Sequence, residues 1–180
     1  WIDAHADMNT PDTTPSGNIH GMPLAAALGI GESRLVRLGG FSPKVLPENS
    51  ALIGVRDVDQ DEAETVKEFR NRGMQVYTIS DVDKQGVTRI IARVLNDFKK
   101  EVDHIHISFD LDGVDPDYAS GVGTPVEGGL TYREASVIME MVADCGCMSS
   151  LEMLEVNPIL DTKNSTAELA VDFIESALGK

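Results

Sequence analysis

This 180-residue sequence predicts an α/β fold: a doubly wound, mostly parallel sheet with helices on both faces. Three observations carry the prediction. Short apolar runs alternate with helical stretches along the chain. The runs are β-branched and apolar throughout, as strands buried on both faces are. Acidic residues collect where strand after strand ends, and ligands of such sheets gather at the carboxyl ends of the strands.

The elements follow in order. A first strand should end near Trp1–Asp3. RLVRLGG (34–40) and SALIGVRD (50–57) read as short apolar strands. DEAETVKEFRNRG (61–73) reads as a helix closing on Gly73, and MQVYTIS (74–80) as a strand. GVTRIIARVLNDFKK (86–100) places apolar residues at 87, 90, 91, 94, 95 and 98, a helical stripe. HIHISFDLD (104–112) has the composition of a buried strand. YREASVIMEMVADCG (132–146) is helical, opening on Thr131 with Glu134 three residues on, a capping-box pattern. SSLEMLEVN (149–157) is a strand. The last helix starts near Ser165 with Glu168 three later, and its inner face is Ala170, Phe173, Ile174, Ala177 and Leu178. Residues 1–180 read as a single domain.

Composition narrows the function classes. Apolar residues make up 42% and charged residues 25%, ordinary for a globular chain. The net charge of −15 argues against a nucleic-acid partner, which needs a clustered basic surface, and suits metal cations or a cationic substrate. No apolar run has the length of a membrane span, and no secretory leader is seen, so no membrane association is expected. Cys145 and Cys147 stand in DCGCMSS at a C-x-C spacing, too close for an ordinary disulfide. They read as reduced structural thiols of a cytoplasmic protein.

The chemistry lies in a few short stretches. In WIDAHADMNT, Asp3, His5 and Asp7 alternate, so in an extended segment their side chains point to one side. Asp110 and Asp112 do the same after the strand at 104–112. Four carboxylates and one imidazole form an oxygen-rich set suited to Mn²⁺, Mg²⁺ or Fe²⁺. Five ligands suit two ions bridged by shared carboxylates, able to lower the pKa of a water between them. The loop PSGNIHGMP (15–23) reads two ways. Ser16 and Asn18, with Asn9, offer neutral donors for a carboxylate and His20 a group that titrates near neutrality; equally, the loop is plain turn chemistry. Asp59 with Glu62 fits a helix cap better than a site for a bound ammonium. Within the long glycine-rich connection at 108–129, Thr124 offers a hydroxyl to a substrate, while Asp115 before Pro116 is a turn residue. Glu155 ends an apolar strand, where its carboxylate needs a cationic substrate or an Arg of the fold. His104 and His106, at the opposite end of a strand, read as structural.

DAHADMNTPDTTPSGNIHGMP, SFDLDGVDPDYASGVGTPVEGGL and LEVNP together resemble the arginase family of ureohydrolases, across nearly the whole chain. The segment N-T-P…S-G-N-x-H-G-M-P looks like the arginase branch rather than agmatinases. The resemblance implies the ureohydrolase fold, a doubly wound parallel sheet, and hydrolysis of L-arginine to L-ornithine and urea by two Mn²⁺ ions. Asp3 and Asp110 match carboxylates that bridge the ions, Asp7 a ligand of the first, His5 and Asp112 ligands of the second. His20 matches a proton shuttle to the leaving amine, Glu155 the acid that holds the guanidinium, and Thr124 a hydroxyl nearby. Asn9, Ser16 and Asn18 match positions around the α-carboxylate; Asp59 and Glu62 match positions near the α-amino group, which reverses the ranking from pattern alone. The family's upstream G-G-D-H-S segment, with a further His ligand, is not in this sequence. The resemblance therefore implies the C-terminal portion of the catalytic domain, with the first strands absent, from a protein commonly trimeric or hexameric. The rival readings are a ureohydrolase acting on agmatine or a guanidino acid, and a non-catalytic metal-binding piece.

Overall fold

The computed structural model describes residues 1–180. In chain order the elements are α1 (Pro23–Ala27), α2 (Ser33–Val36), β1 (Ala51–Val55), α3 (Gln60–Asn71), β2 (Gln75–Thr78), α4 (Ile79–Gln85), α5 (Val87–Glu101), β3 (Ile105–Asp110), α6 (Tyr132–Cys145), β4 (Met148–Leu154) and α7 (Ser165–Ala177). Two compact units divide the chain: Trp1–Ala4, Ile53–Arg56 and Tyr77–Lys180 in one, His5–Leu52 and Asp57–Val76 in the other.

In the first unit the strands run parallel, and their register sets the level of the acids. Ile2 bridges Ile53 on one side and Phe109 on the other, both in parallel. The Ile2 amide donates to the Ser108 carbonyl at 2.9 Å, and the Asp110 amide donates back to the Ile2 carbonyl at 2.8 Å. On the other flank Asp3 donates to Ile53 at 3.1 Å and Ile53 to Trp1 at 2.9 Å. β3 then pairs with β4 in parallel, Asp110 opposite Leu154. Asp3, Asp110 and Glu155 therefore leave three neighbouring strands at the same end.

Three helices of this unit, α5, α6 and α7, pack in a row with α6 in the middle. The stripe read in the sequence is the one α5 buries: Val87, Ile90, Ile91, Val94, Leu95 and Phe98. α6 lies against both α5 and α7. Its capping box forms as expected, Glu134 donating to the Thr131 hydroxyl at 3.2 Å and accepting the Thr131 amide at 2.9 Å. From α7, Phe173 is fully buried, its ring 5.6 Å from that of Phe109 and 5.8 Å from that of Tyr132. Truncation of such a ring removes its packing and leaves a void. Phe173→Ala is expected to cost about 3–5 kcal/mol, read as a lower midpoint at unchanged slope in urea unfolding.

Some elements differ from the sequence reading. Residues 34–40 are not a strand: Ser33–Val36 form a helical turn, followed by a 3₁₀ turn at Leu38–Gly40. The Glu32 carboxylate accepts the Arg34 amide at 3.2 Å and starts the helix, and Gly39 and Gly40 at φ 71° and 82° end any extended run. α7 starts at Ser165 as read, but Asp161 accepts the Thr166 and Ala167 amides in place of a box with Glu168. The buried face of α7 includes Thr166 and Leu169, whereas Leu178 is 72% exposed because the helix has already ended at Ala177.

The cysteine reading is also corrected. Cys145 and Cys147 are joined in a disulfide, with Cα atoms 5.2 Å apart. Gly146 between them is left-handed, φ 61°, and this turn folds the two Cα atoms into disulfide range. The support that reduced thiols lent to a cytoplasmic location is thereby removed. No helix is long and apolar enough to cross a membrane.

In the second unit, α3 begins at Asp59 with a complete capping box to Glu62. It stops at Gly73, φ 107°, where a Cβ would lie 3.1 Å from that of Glu48. Both the helix and its glycine stop agree with the sequence.

Candidate metal centre

The strand ends of the first unit place Asp3, Asp110 and Asp112 together, all buried. Oxygens of Asp3 and Asp112 lie within 4.8 Å of one another. Each carboxylate is held by named donors. The Trp1 indole donates to Asp3 Oδ2 at 2.8 Å. The Asp112 amide donates to Asp110 Oδ1 at 2.9 Å. Asp112 receives the Ala4 amide on Oδ1 at 3.2 Å and the Thr124 hydroxyl on Oδ2 at 3.0 Å. Gly113 is needed where the chain turns, since a Cβ there would meet the Asp3 backbone at 3.2 Å.

Charge crowds this end of the sheet. The Asp110 carboxyl is pushed up to about 8, first by burial and then by the charges of Asp112, Asp3 and Glu155. Buried carboxylates this close cannot all ionise unless a cation joins them, and a hard divalent ion with oxygen ligands fits that donor set. Glu155 follows β4 in a left-handed conformation, φ 64°. The glycine-rich connection approaches it closely: a Cβ on Gly123 would sit 3.4 Å from Glu155 Oε2. Thr124, read as a substrate hydroxyl, is thus committed to Asp112 in this state.

The second unit holds the remaining sequence candidates. His5 Nε2 stands 3.8 Å from Asp57 Oδ2. Asp7 is left-handed, φ 53°, and its carbonyl accepts the Ala25 amide of α1 at 3.0 Å. Glu62 is buried; its Oε1 accepts the Met8 amide at 2.8 Å and its Oε2 the Asp59 amide at 3.3 Å. Burial raises the pKa of Glu62, and these two amides oppose the rise. Asn9 donates to Asp59 Oδ2 at 3.1 Å and accepts the Thr13 hydroxyl at 2.9 Å. Asn9, Asp59 and Glu62 are therefore one connected cluster.

Ser16, Asn18 and His20 are not drawn into that cluster. They lie on the exposed loop, where the Ser16 hydroxyl accepts the Asn18 amide at 3.2 Å and His20 sits in a 3₁₀ turn. Arg56 went unnoticed in the sequence. Directly after β1, its guanidinium donates to the carbonyls of Asp112 at 2.8 Å, Val126 at 2.6 Å, Gly113 at 3.2 Å and Glu127 at 3.2 Å. A lone cation in an otherwise acidic set of strand ends was the one signal available.

Parallel strands that deliver acids to one end are a general device, and the comparison with known proteins decides between its users. Residues 1–179 match the arginase family profile. The chain belongs to the arginase family. It is 53% identical over 180 residues to the arginase of Bacillus subtilis (strain 168), covering all of this chain and 60% of that one. The arginase of Bacillus caldovelox is 51% identical, with 59% of its length covered. The solved structure of that second arginase superposes at a TM-score of 0.96 with 50% identity, over all of this chain and 59% of its own. The chain thus spans about 60% of the length of the curated arginases it matches. These matches establish the arginase fold that the sequence motifs implied.

Proposed function

We propose that the protein hydrolyses L-arginine to L-ornithine and urea, with two Mn²⁺ ions as cofactor. The observation that carries this reading is the buried set Asp3, Asp110 and Asp112 with Glu155 at the same end of a parallel sheet. Asp3 and Asp110 are assigned to both ions, Asp7 to the first, and His5 and Asp112 to the second. Divalent ions held by these residues would supply Lewis acidity and an activated water near neutral pH.

The chain's own residues do the rest. A guanidinium is a resonance-stabilised cation, and Glu155 beside the carboxylate cluster is its counter-charge, fixing the plane of the reacting carbon. His20 carries a proton to the departing amine of ornithine, the general-acid step that the leaving nitrogen needs. Asn9, Ser16 and Asn18 receive the α-carboxylate, and Asp59 with Glu62 the α-amino group. In cells the protein is assigned to the cytoplasm as a homo-oligomer, a trimer or hexamer.

The test is urea release from L-arginine by the full-length protein, after chelation and again after Mn²⁺ is restored. Activity that returns with Mn²⁺ supports the reading; none in either state overturns it. Agmatine, which lacks the α-carboxylate, separates the nearest rival: equal rates on both substrates favour a different ureohydrolase specificity.

Thr124 offers a narrower check. Thr124→Val keeps the shape and removes the donor to Asp112 Oδ2. Loss of a partner behind a ligand typically weakens metal binding about 10- to 100-fold. That decrease is expected in a Mn²⁺ titration of the variant.

A further inference from the structure

We propose that Arg56 is a positioning residue, whose guanidinium sets the backbone beneath Asp112 and so fixes that carboxylate for metal binding. The inference rests on the reading of Asp112 as a metal ligand. Three separate segments converge on this one aspartate. Ala4 holds Oδ1, Thr124 holds Oδ2, and Arg56 Nη2 holds the Asp112 carbonyl at 2.8 Å. With both oxygens and the carbonyl tied, the side chain and the peptide that carries it are fixed together.

The fork of Arg56 reaches further than Asp112. Nη2 also takes the Val126 carbonyl at 2.6 Å, Nε takes Glu127 at 3.2 Å, and Nη1 takes Gly113 at 3.2 Å. One planar group therefore ties the Asp112–Gly113 turn to residues 126–127 of the glycine-rich connection, which also carries Thr124. Gly129 closes the same turn: a Cβ there would lie 2.6 Å from the Asp115 backbone nitrogen and 2.7 Å from the Val114 carbonyl carbon, as well as 2.6 Å from Nη2. A lysine has a single ammonium on a flexible stem and cannot span these acceptors in one plane. Both the reach and the planarity of arginine are used here, beyond its charge.

The experiment uses the full-length protein and two variants, Arg56→Lys and Arg56→Ala. The first readout is amide hydrogen exchange in the metal-free state. Peptides covering 111–115 and 124–129 are expected to exchange about tenfold faster or more in either variant, while α5 (Val87–Glu101) keeps its protection. The second readout is Mn²⁺ affinity, expected to fall about 10- to 100-fold, as for other groups that orient a ligand. A structural role alone would speed exchange throughout and leave the metal affinity of the folded variant unchanged. Wild-type exchange at both loops in Arg56→Lys overturns the proposal, as does wild-type Mn²⁺ affinity. If Arg56→Ala does not fold, Arg56→Lys decides alone. If the parent protein binds no Mn²⁺, the functional reading fails, while the exchange measurement still decides whether Arg56 holds the Asp112 turn.

Discussion

Metal-free protein carrying Asp110→Asn is expected to be more stable than its parent at pH 8, with the gap nearly closed at pH 4. The cause is the burial and like-charge crowding that push the Asp110 carboxyl up to about 8 in the folded chain. In the unfolded chain the same group titrates near its ordinary value of 3.8. Below that value both states hold the proton and nothing is lost. As pH rises, the unfolded chain gives up its proton while the folded one keeps it, so the parent loses stability progressively. The loss levels off above the folded value. Each pH unit between the two values is worth about 1.4 kcal/mol, so the full penalty is several kcal/mol. Asparagine has the same shape, keeps an oxygen for the Asp112 amide, and carries no proton to lose. The difference between parent and variant cancels titrating groups remote from Asp110, and reports this carboxyl together with its coupling to Asp112, Asp3 and Glu155.

Denaturant unfolding of both proteins at pH 4, 6 and 8 in chelator checks the expectation. A stability difference independent of pH would show that the crowding is relieved within the protein itself. With Mn²⁺ present the gap at pH 8 should narrow, because an ion that binds only the folded parent at a hundred times its dissociation constant adds about 2.7 kcal/mol.

The fold was legible because its signals are periodic. The α5 stripe, the Thr131–Glu134 box and the Gly73 stop each depend on residues a few positions apart, and each appears as expected. The run at 34–40 misled because a short apolar stretch fits a strand or a helical turn equally well. What settled it were the Glu32 cap and two left-handed glycines. The C-x-C pair misled similarly: its pairing depends on the conformation of Gly146, which spacing alone does not give.

The clustered carboxylates were legible, and what holds them was less so. Acids at strand ends are visible in a sequence because strand ends are visible. The partners of Asp112 are not, since Ala4, Arg56 and Thr124 come from three distant stretches. Arg56 bonds to carbonyls, which every residue possesses, so no side-chain pattern announces it. Asp59 shows the two kinds of information meeting. Pattern favoured a cap and family resemblance a substrate contact; the capping box with Glu62 forms, and the same carboxylate also receives Asn9. The cap is thus observed, and the substrate contact stays with the proposed function.

Glu155→Gln in the full-length protein is expected to lower kcat/KM on L-arginine by about 10²–10⁴-fold while leaving Mn²⁺ binding near that of the parent. Glu155 lies just past β4, half-buried, against the loop at Gly123. Removing one partner of a desolvated ion pair costs about 3–5 kcal/mol, and each 1.36 kcal/mol is about tenfold in rate. Glutamine keeps the size of the side chain and the left-handed backbone at this position, so folding is not the variable. It offers one oxygen and an NH₂ to a guanidinium that presents only donors, and half of the contact becomes unfavourable. Because Glu155 contributes to the charge around Asp110, the variant should also lower the Asp110 pKa slightly, a change opposite in sign to lost metal affinity. Steady-state urea release together with a Mn²⁺ titration separates these effects. A kcat/KM within tenfold of the parent would remove Glu155 from the substrate contact. A large loss accompanied by equally weakened Mn²⁺ binding would place its role with the ions instead.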